Sequence, residues 1–165
     1  MPAAMVGHPG HALYLHDDEE ALLDVVLRFV AEGQYHGQRT VVISSDERLD
    51  RLQERLVQHG LEGSAVGHSA EAVLEQVLVG GSPDRERFRA TMRDLLAAHE
   101  PGTVRVHGDT AALLAARGSA DGALQLELLC DELVAELAVQ HLCAHPRAQV
   151  SPDDAVCRAH GDFRQ

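Results

Sequence analysis

Apolar residues along the chain fall into two alternating patterns, short continuous runs and longer stretches with helical spacing. The first run, HALYLH over 11–16, reads as a buried strand. Asp17 and Asp18 follow as helix caps. Leu22, Leu23, Val26, Phe29 and Val30 then recur at helical spacing, which predicts an amphipathic helix over about 18–32, ended by Gly33. TVVIS over 40–44 is a continuous apolar run, as a strand buried on both faces of a parallel sheet requires. Ser45 or Asp46 caps the next helix, which carries Leu49, Leu52, Leu56 and Val57 and stops at Gly60. A weak strand is expected near 64–67 and a helix over about 69–79. GGSP at 80–83 is a turn, and Pro83 stands near the start of a helix using Phe88, Met92, Leu95 and Leu96. TVRVH over 103–107 is a further strand. A short helix over about 109–117, a longer one over about 121–137, an inner strand over 139–144 and a terminal helix from Ser151 to about residue 160 complete the pattern.

Strands alternating with helices predict an α/β fold, a three-layer, mostly parallel, doubly wound sheet. Ligands of such sheets sit beyond the carboxyl ends of the strands. That rule nominates His16 and Asp17, residues 44–47, residues 107–109 and residues 143–145. Residues 1–10 are rich in Ala, Gly and Pro and carry no basic stretch before an apolar one, so they read as a disordered lead-in rather than a signal peptide. Residues 11–163 read as a single domain.

Composition narrows the classes of partner. Of 165 residues 45% are hydrophobic but only 3% aromatic, so Leu, Val and Ala must fill the core. A formal net charge of -12 repels phosphate backbones and anionic lipids, which argues against nucleic-acid and membrane partners. All cationic side chains other than histidine are Arg. Without a lysine there is no P-loop lysine, no Schiff base and no pyridoxal-phosphate attachment. Three widely spaced cysteines, Cys130, Cys143 and Cys157, fit a reduced, cytoplasmic chain. No apolar run reaches the roughly 18 residues of a membrane helix.

The loop after the first strand reads HDDEE at 16–20, with four carboxylates, no glycine and no lysine. A helix start of this kind occupies with its own acids the dipole site that a phosphate would use, so ATP is not expected there. The carboxylates serve either as ordinary N-caps or in a metal or ligand role. Cys143 with His145, and Cys157 with His160, resemble two metal-ligand pairs whose thiolate and imidazole groups suit zinc. The plain alternative is a buried cysteine on a strand and a helix face packed against the sheet. His11, Tyr14, His16, His107, Asp109 and Glu127 form a diffuse polar set of the kind that lines a small-molecule pocket. Glu127 and Asp131, four residues apart, share one helix face, which is equally a solvated face. No nucleophile constellation stands out.

Several segments together resemble one family: HALYLHDDEEALLDVVLRFVAEG at 11–33, GGSPDRERF at 80–88, VRVHGD at 104–109, LELLCDEL at 126–133, LCAHP at 142–146 and CRAH at 157–160. Over roughly residues 8–163 the chain resembles the MEDS domain, a sensory domain named from methanogens, methylotrophs and the repressor DcmR. The resemblance implies a degenerate RecA/KaiC-like fold without a functional P-loop, in which Asp46-Glu47 would be the remnant of a catalytic acidic pair or a plain helix cap. It also implies a non-catalytic signal-input role: binding a small molecule and relaying it to a histidine kinase, an anti-sigma factor or a transcription regulator. Asp109 stands where the family usually has Glu, and His145 where Tyr is common. Both change polarity at pocket positions, so the ligand need not be shared. Different readings stay open beside this one. They are a metal-, haem- or redox-responsive protein using Cys143, His145, Cys157 and His160, and a ligand-free protein–protein adaptor. Exposed apolar residues leave room for a homodimer.

Overall fold

The computed structural model of the chain describes residues 6–8, by their backbone, and residues 10–150. The elements run β1 (Val6–His8), β2 (His11–His16), α1 (Glu19–Tyr35), β3 (Arg39–Ser44), α2 (Asp46–Gln58), β4 (Ala65–Ser69), α3 (Ala70–Val77), β5 (Leu78–Val79), β6 (Ser82–Pro83), α4 (Arg85–Leu96), β7 (Val104–Gly108), α5 (Thr110–Ala116), α6 (Ala120–Leu137) and β8 (Gln140–Pro146), with a 3-10 turn at Arg147–Gln149. The terminal helix expected from Ser151 lies outside the described residues, as do Cys157 and His160.

Two helix starts follow the predicted chemistry: Asp18 accepts a hydrogen bond from the Ala21 amide and Ser45 from the Arg48 amide. Ser69 and Asp84 cap α3 and α4 in the same way, accepting from the Ala72 and Arg87 amides. Each bond satisfies an amide that the helix cannot. The sheet order is β1-β2-β8-β7-β3-β4. Strands β2, β8, β7, β3 and β4 pair in parallel, and β1 adds antiparallel at the edge. This is the expected α/β sheet flanked by helices. Tyr14, Val42, Leu142 and Ala144 face α1 and α2, packing on Leu22, Leu23, Val26, Phe29, Val30, Leu52 and Leu56. Val41, Ile43, Val104 and Val106 face the other way, onto Leu74, Phe88, Met92, Leu114, Leu126 and Leu133 of α3 to α6. Fully burying an aliphatic side chain of this size contributes about 1.5–3 kcal/mol. That is why the continuous apolar runs, buried on both faces, were the most legible strands.

Three details differ from expectation. Val6–His8, within the segment read as a lead-in, form β1, with Val6 opposite Leu13 and His8 opposite His11. An edge strand is held by backbone groups and needs no apolar alternation. Gly33 does not end α1, which continues to Tyr35. It is a buried contact point instead, since a Cβ there would fall 2.9 Å from Cδ of Arg105. The turn at 80–83 is the tip of a two-stranded hairpin, β5–β6.

Arg105, in the middle of β7, is only 2% exposed. Its NH1 donates to the Phe29 carbonyl and to the Glu32 carboxylate, each at 3.2 Å, and its Nε donates to Gln38 Oε1 at 3.0 Å. The guanidinium carbon lies 4.6 Å from the centre of the Phe29 ring. A buried charge is tolerated when it is paired and hydrogen-bonded in this way.

The connections place the site. Helix α1 carries the chain from β2 across β8 and β7 to β3, and α2 leads outward to β4 on the same face. Helices α3 and α4 return on the opposite face to β7, and α5 and α6 lead on to β8. Neighbouring strands β3 and β7 are therefore followed by helices on opposite faces, which opens a crevice at their carboxyl ends. No helix among the described residues is long and apolar enough to cross a membrane.

Candidate functional site

A cavity of about 200 Å³ occupies that crevice, lined by His16 from the end of β2, Ser45 and Arg48 from the start of α2, Asp109 from the end of β7, and Gln149. Its apolar wall includes Ala70, Ala112, Leu113 and Ala144. Asp109 is the hub. It stands at the N-cap position of α5 yet makes no capping bond, because its carboxylate is engaged elsewhere. The Ser44 hydroxyl donates to Oδ2 in a short hydrogen bond, and Arg48 NH1 donates to the same oxygen at 2.5 Å. Oδ1 lies 3.3 Å from Nε2 of His107, whose Nδ1 is 2.9 Å from the Leu142 carbonyl oxygen. Burial alone would raise the Asp109 carboxyl pKa. His107, Arg48 and Ser44 together outweigh burial and hold it well below the usual carboxylate range.

Arg48 spans the crevice. Its Nε donates to Glu19 Oε2 at 2.9 Å and its NH2 to Glu19 Oε1, while NH1 holds Asp109. Burial works against its charge, but Glu19 and Asp109 overcome it and raise its pKa further. The hydrogen bond from Arg48 lowers the Glu19 pKa in turn. His16 is buried, and its pKa is lowered first by burial and then by Arg48. Its Nδ1 has no hydrogen-bond partner among the described residues. The cavity thus offers one neutral imidazole and a compensated Asp–Arg–Glu chain. Asp46 and Glu47 lie exposed in the first turn of α2, outside this chain of contacts.

A second polar cluster lies on the other face of the sheet, against α6. His11 and His141 are register partners on β2 and β8, with rings stacked 5.1 Å apart and 4° from parallel. His11 Nε2 is 3.0 Å from Cys143 Sγ and 3.4 Å from Glu127 Oε2, and its Nδ1 is 3.0 Å from Asp131 Oδ1. His145 Nε2 is 2.8 Å from Glu127 Oε1. Burial pushes the Cys143 thiol pKa up, with Cys130 and Glu127 adding to it.

The residues singled out in the sequence therefore divide between two places. His16 and Asp109 line the cavity, with His107 directly behind Asp109. His11 and Glu127 belong to the buried cluster with Cys143 and His145. Tyr14 packs on the α1–α2 face, its ring 6.4 Å from that of His16, and the sheet separates it from His11 and Glu127. Two residues were missed. Arg48 reads as one more arginine of an exposed helix, and only the fold brings it to Asp109. His141 was legible, because it alternates with Cys143 and His145 along β8 and so shares their face.

The family described as MEDS, MEthanogen/methylotroph, DcmR Sensory domain, matches residues 10–161. No curated protein and no solved structure matches the chain. The match covers most of the sequence, and the chain belongs to this family of sensory domains.

Proposed function

We propose that this member of the MEDS family is a non-catalytic signal-input domain that binds a small molecule in the cavity at the carboxyl ends of β2, β3, β7 and β8. The supporting observation is the lining itself, an apolar wall with a neutral, buried His16 and the Asp109–Arg48 pair at one side. A cavity of about 200 Å³ is below the roughly 300–1,000 Å³ of drug-sized pockets. The ligand is accordingly a small, largely apolar molecule with one or two polar atoms. A phosphate is disfavoured, because Arg48 is already committed to Glu19 and Asp109. Elements around the cavity carry the relay. Arg48 ties the start of α1 to the end of β7, so a ligand that competes for Asp109 or His16 alters that tie and the surface a kinase, an anti-sigma factor or a transcription regulator would contact.

Saturation-transfer NMR with a panel of small alcohols, ketones and carboxylic acids tests the site. Binders should lose their signal in Ala112→Leu, which fills the cavity from its apolar wall. Signals that persist undiminished in that variant would place binding elsewhere. A clear rise in melting temperature with ATP would overturn the exclusion of nucleotide.

A further inference from the structure

The cluster on the opposite face of the sheet is separate from the cavity and is built from different residues. We propose that His11 Nε2, a ring nitrogen of His141 and the Cys143 thiolate, completed by the Glu127 carboxylate, form a buried site for a divalent cation of the zinc class. The three His and Cys ligand atoms all lie within 4.8 Å of one another. Zinc bonds of about 2.0–2.1 Å to nitrogen and 2.3 Å to sulfur place tetrahedral neighbours about 3.5 Å apart. Here His11 Nε2 and Cys143 Sγ are 3.0 Å apart, Cys143 Sγ and the His141 ring nitrogens 3.8 Å, and His11 Nε2 and Glu127 Oε2 3.4 Å. These three separations lie within about half an ångström of that spacing, and rotation of the His141 ring, stacked on His11, would turn one of its nitrogens onto the same ion.

The surroundings of these groups match those of metal ligands. A ligating histidine donates its second ring N–H to a carboxylate, which fixes the tautomer and the ring. His11 does this through Nδ1 to Asp131, from a strand 120 residues away in sequence. The second oxygen of Glu127 is held by His145 at 2.8 Å, which aims the first at His11. Charge also balances. A divalent ion with one thiolate and one carboxylate is neutral, as a site with His11 and Glu127 at 0% exposure requires. On binding, the Cys143 thiol gives its proton to solvent. Thiolate with two imidazoles selects zinc or its cobalt surrogate over magnesium or calcium, which prefer oxygen.

Cobalt(II) reports both geometry and thiolate ligation. The full chain, stripped with a chelator and kept reduced, is loaded with cobalt both as folded protein and during refolding, since the site is buried. A thiolate-to-cobalt charge-transfer band with tetrahedral visible bands, abolished by one equivalent of zinc, is the expected result. Cys143→Ser should lose the charge-transfer band. Asp131→Asn, at the partly exposed outer carboxylate, should keep the band at saturation while weakening binding about 10–100-fold. Cys157→Ser and His160→Ala should change neither. Folded protein that takes up no cobalt under either condition overturns the proposal. So does binding that survives Cys143→Ser with its charge-transfer band, or that is lost with Cys157 and His160.

Discussion

At the scale of single residues, the cavity is governed by how each titratable group is paired. His16 is held below its usual pKa by burial and by the Arg48 guanidinium. As pH falls, the unfolded chain takes up this proton first, near pH 6.5. The stability from a neutral His16 is therefore full above about pH 6.5, is lost as pH falls towards the lower folded value, and levels off below it. His16→Gln should flatten this part of the curve, measured as urea unfolding free energy at steps from pH 8 to 5. An unchanged slope would assign it to another histidine. Asp109 acts lower down. Its folded pKa is depressed, so its contribution is complete above about pH 4 and is lost only in stronger acid. The two groups thus report on separate pH windows.

Among elements, the contact between α1 and β7 shows what a sequence conceals. Gly33 sits in a helix, where glycine costs about 1 kcal/mol relative to alanine. The fold uses that gap to admit Arg105, whose Cδ would meet a Cβ at 2.9 Å. Gly33→Ala should therefore destabilise the native chain by about 1 kcal/mol or more, yet stabilise it in the Arg105→Ala background, where only the helix preference remains. A double-mutant cycle by chemical denaturation shows this change of sign, and additive effects would refute the packing argument. Strands β2, β3 and β7 and the capped helices were legible because continuous apolar runs and Asp or Ser caps are local signals. Arg105 within TVRVH was not, because its partners lie far off in sequence, Phe29 and Glu32 on α1 and Gln38 in the loop that follows it. For the same reason Arg48 and the His11–Asp131 bond could not be read, whereas His11, His16, Asp109, Glu127 and Cys143 stood out by chemistry alone. Chemistry did not tell them apart by face. Alternation along β2 sends His11 to one side of the sheet and Tyr14 to the other, and the register of β2 against β8 then sets His11 beside His141.

For the whole molecule, charge sets the response to salt. The acidic excess of -12 is relieved locally by ion pairs from Arg51 and Arg55 of α2 to Glu20 and Asp24 of α1. Such exposed pairs contribute about 0–1 kcal/mol each and weaken with salt. Self-repulsion among the unpaired acids weakens as well, over a screening length of about 10 Å at 0.1 M. With 26 acidic residues against 14 arginines, repulsion outweighs the attraction within the pairs. Raising sodium chloride from low concentration to about 0.5 M should move the urea midpoint upward, and a downward shift would show that the α1–α2 pairs dominate.

The order of strands also sets a timetable. Strand β8, the last in sequence of those described, lies between β2 and β7; it carries Ala144 and Pro146 of the cavity and His141, Cys143 and His145 of the histidine cluster. Until Gln140–Pro146 leave the ribosome, β2 has no parallel neighbour and β7 has an open edge, so the hydrogen-bond ladder has a gap at its centre. A nascent chain can assemble β3, β4 and β7 with their helices, but neither the crevice nor the histidine cluster exists before that strand is inserted. Closing contacts of such long sequence separation is slow. The competence to receive a signal therefore arrives in one late step, and a chain shortened before residue 140 would present two sticky strand edges instead of a sensor.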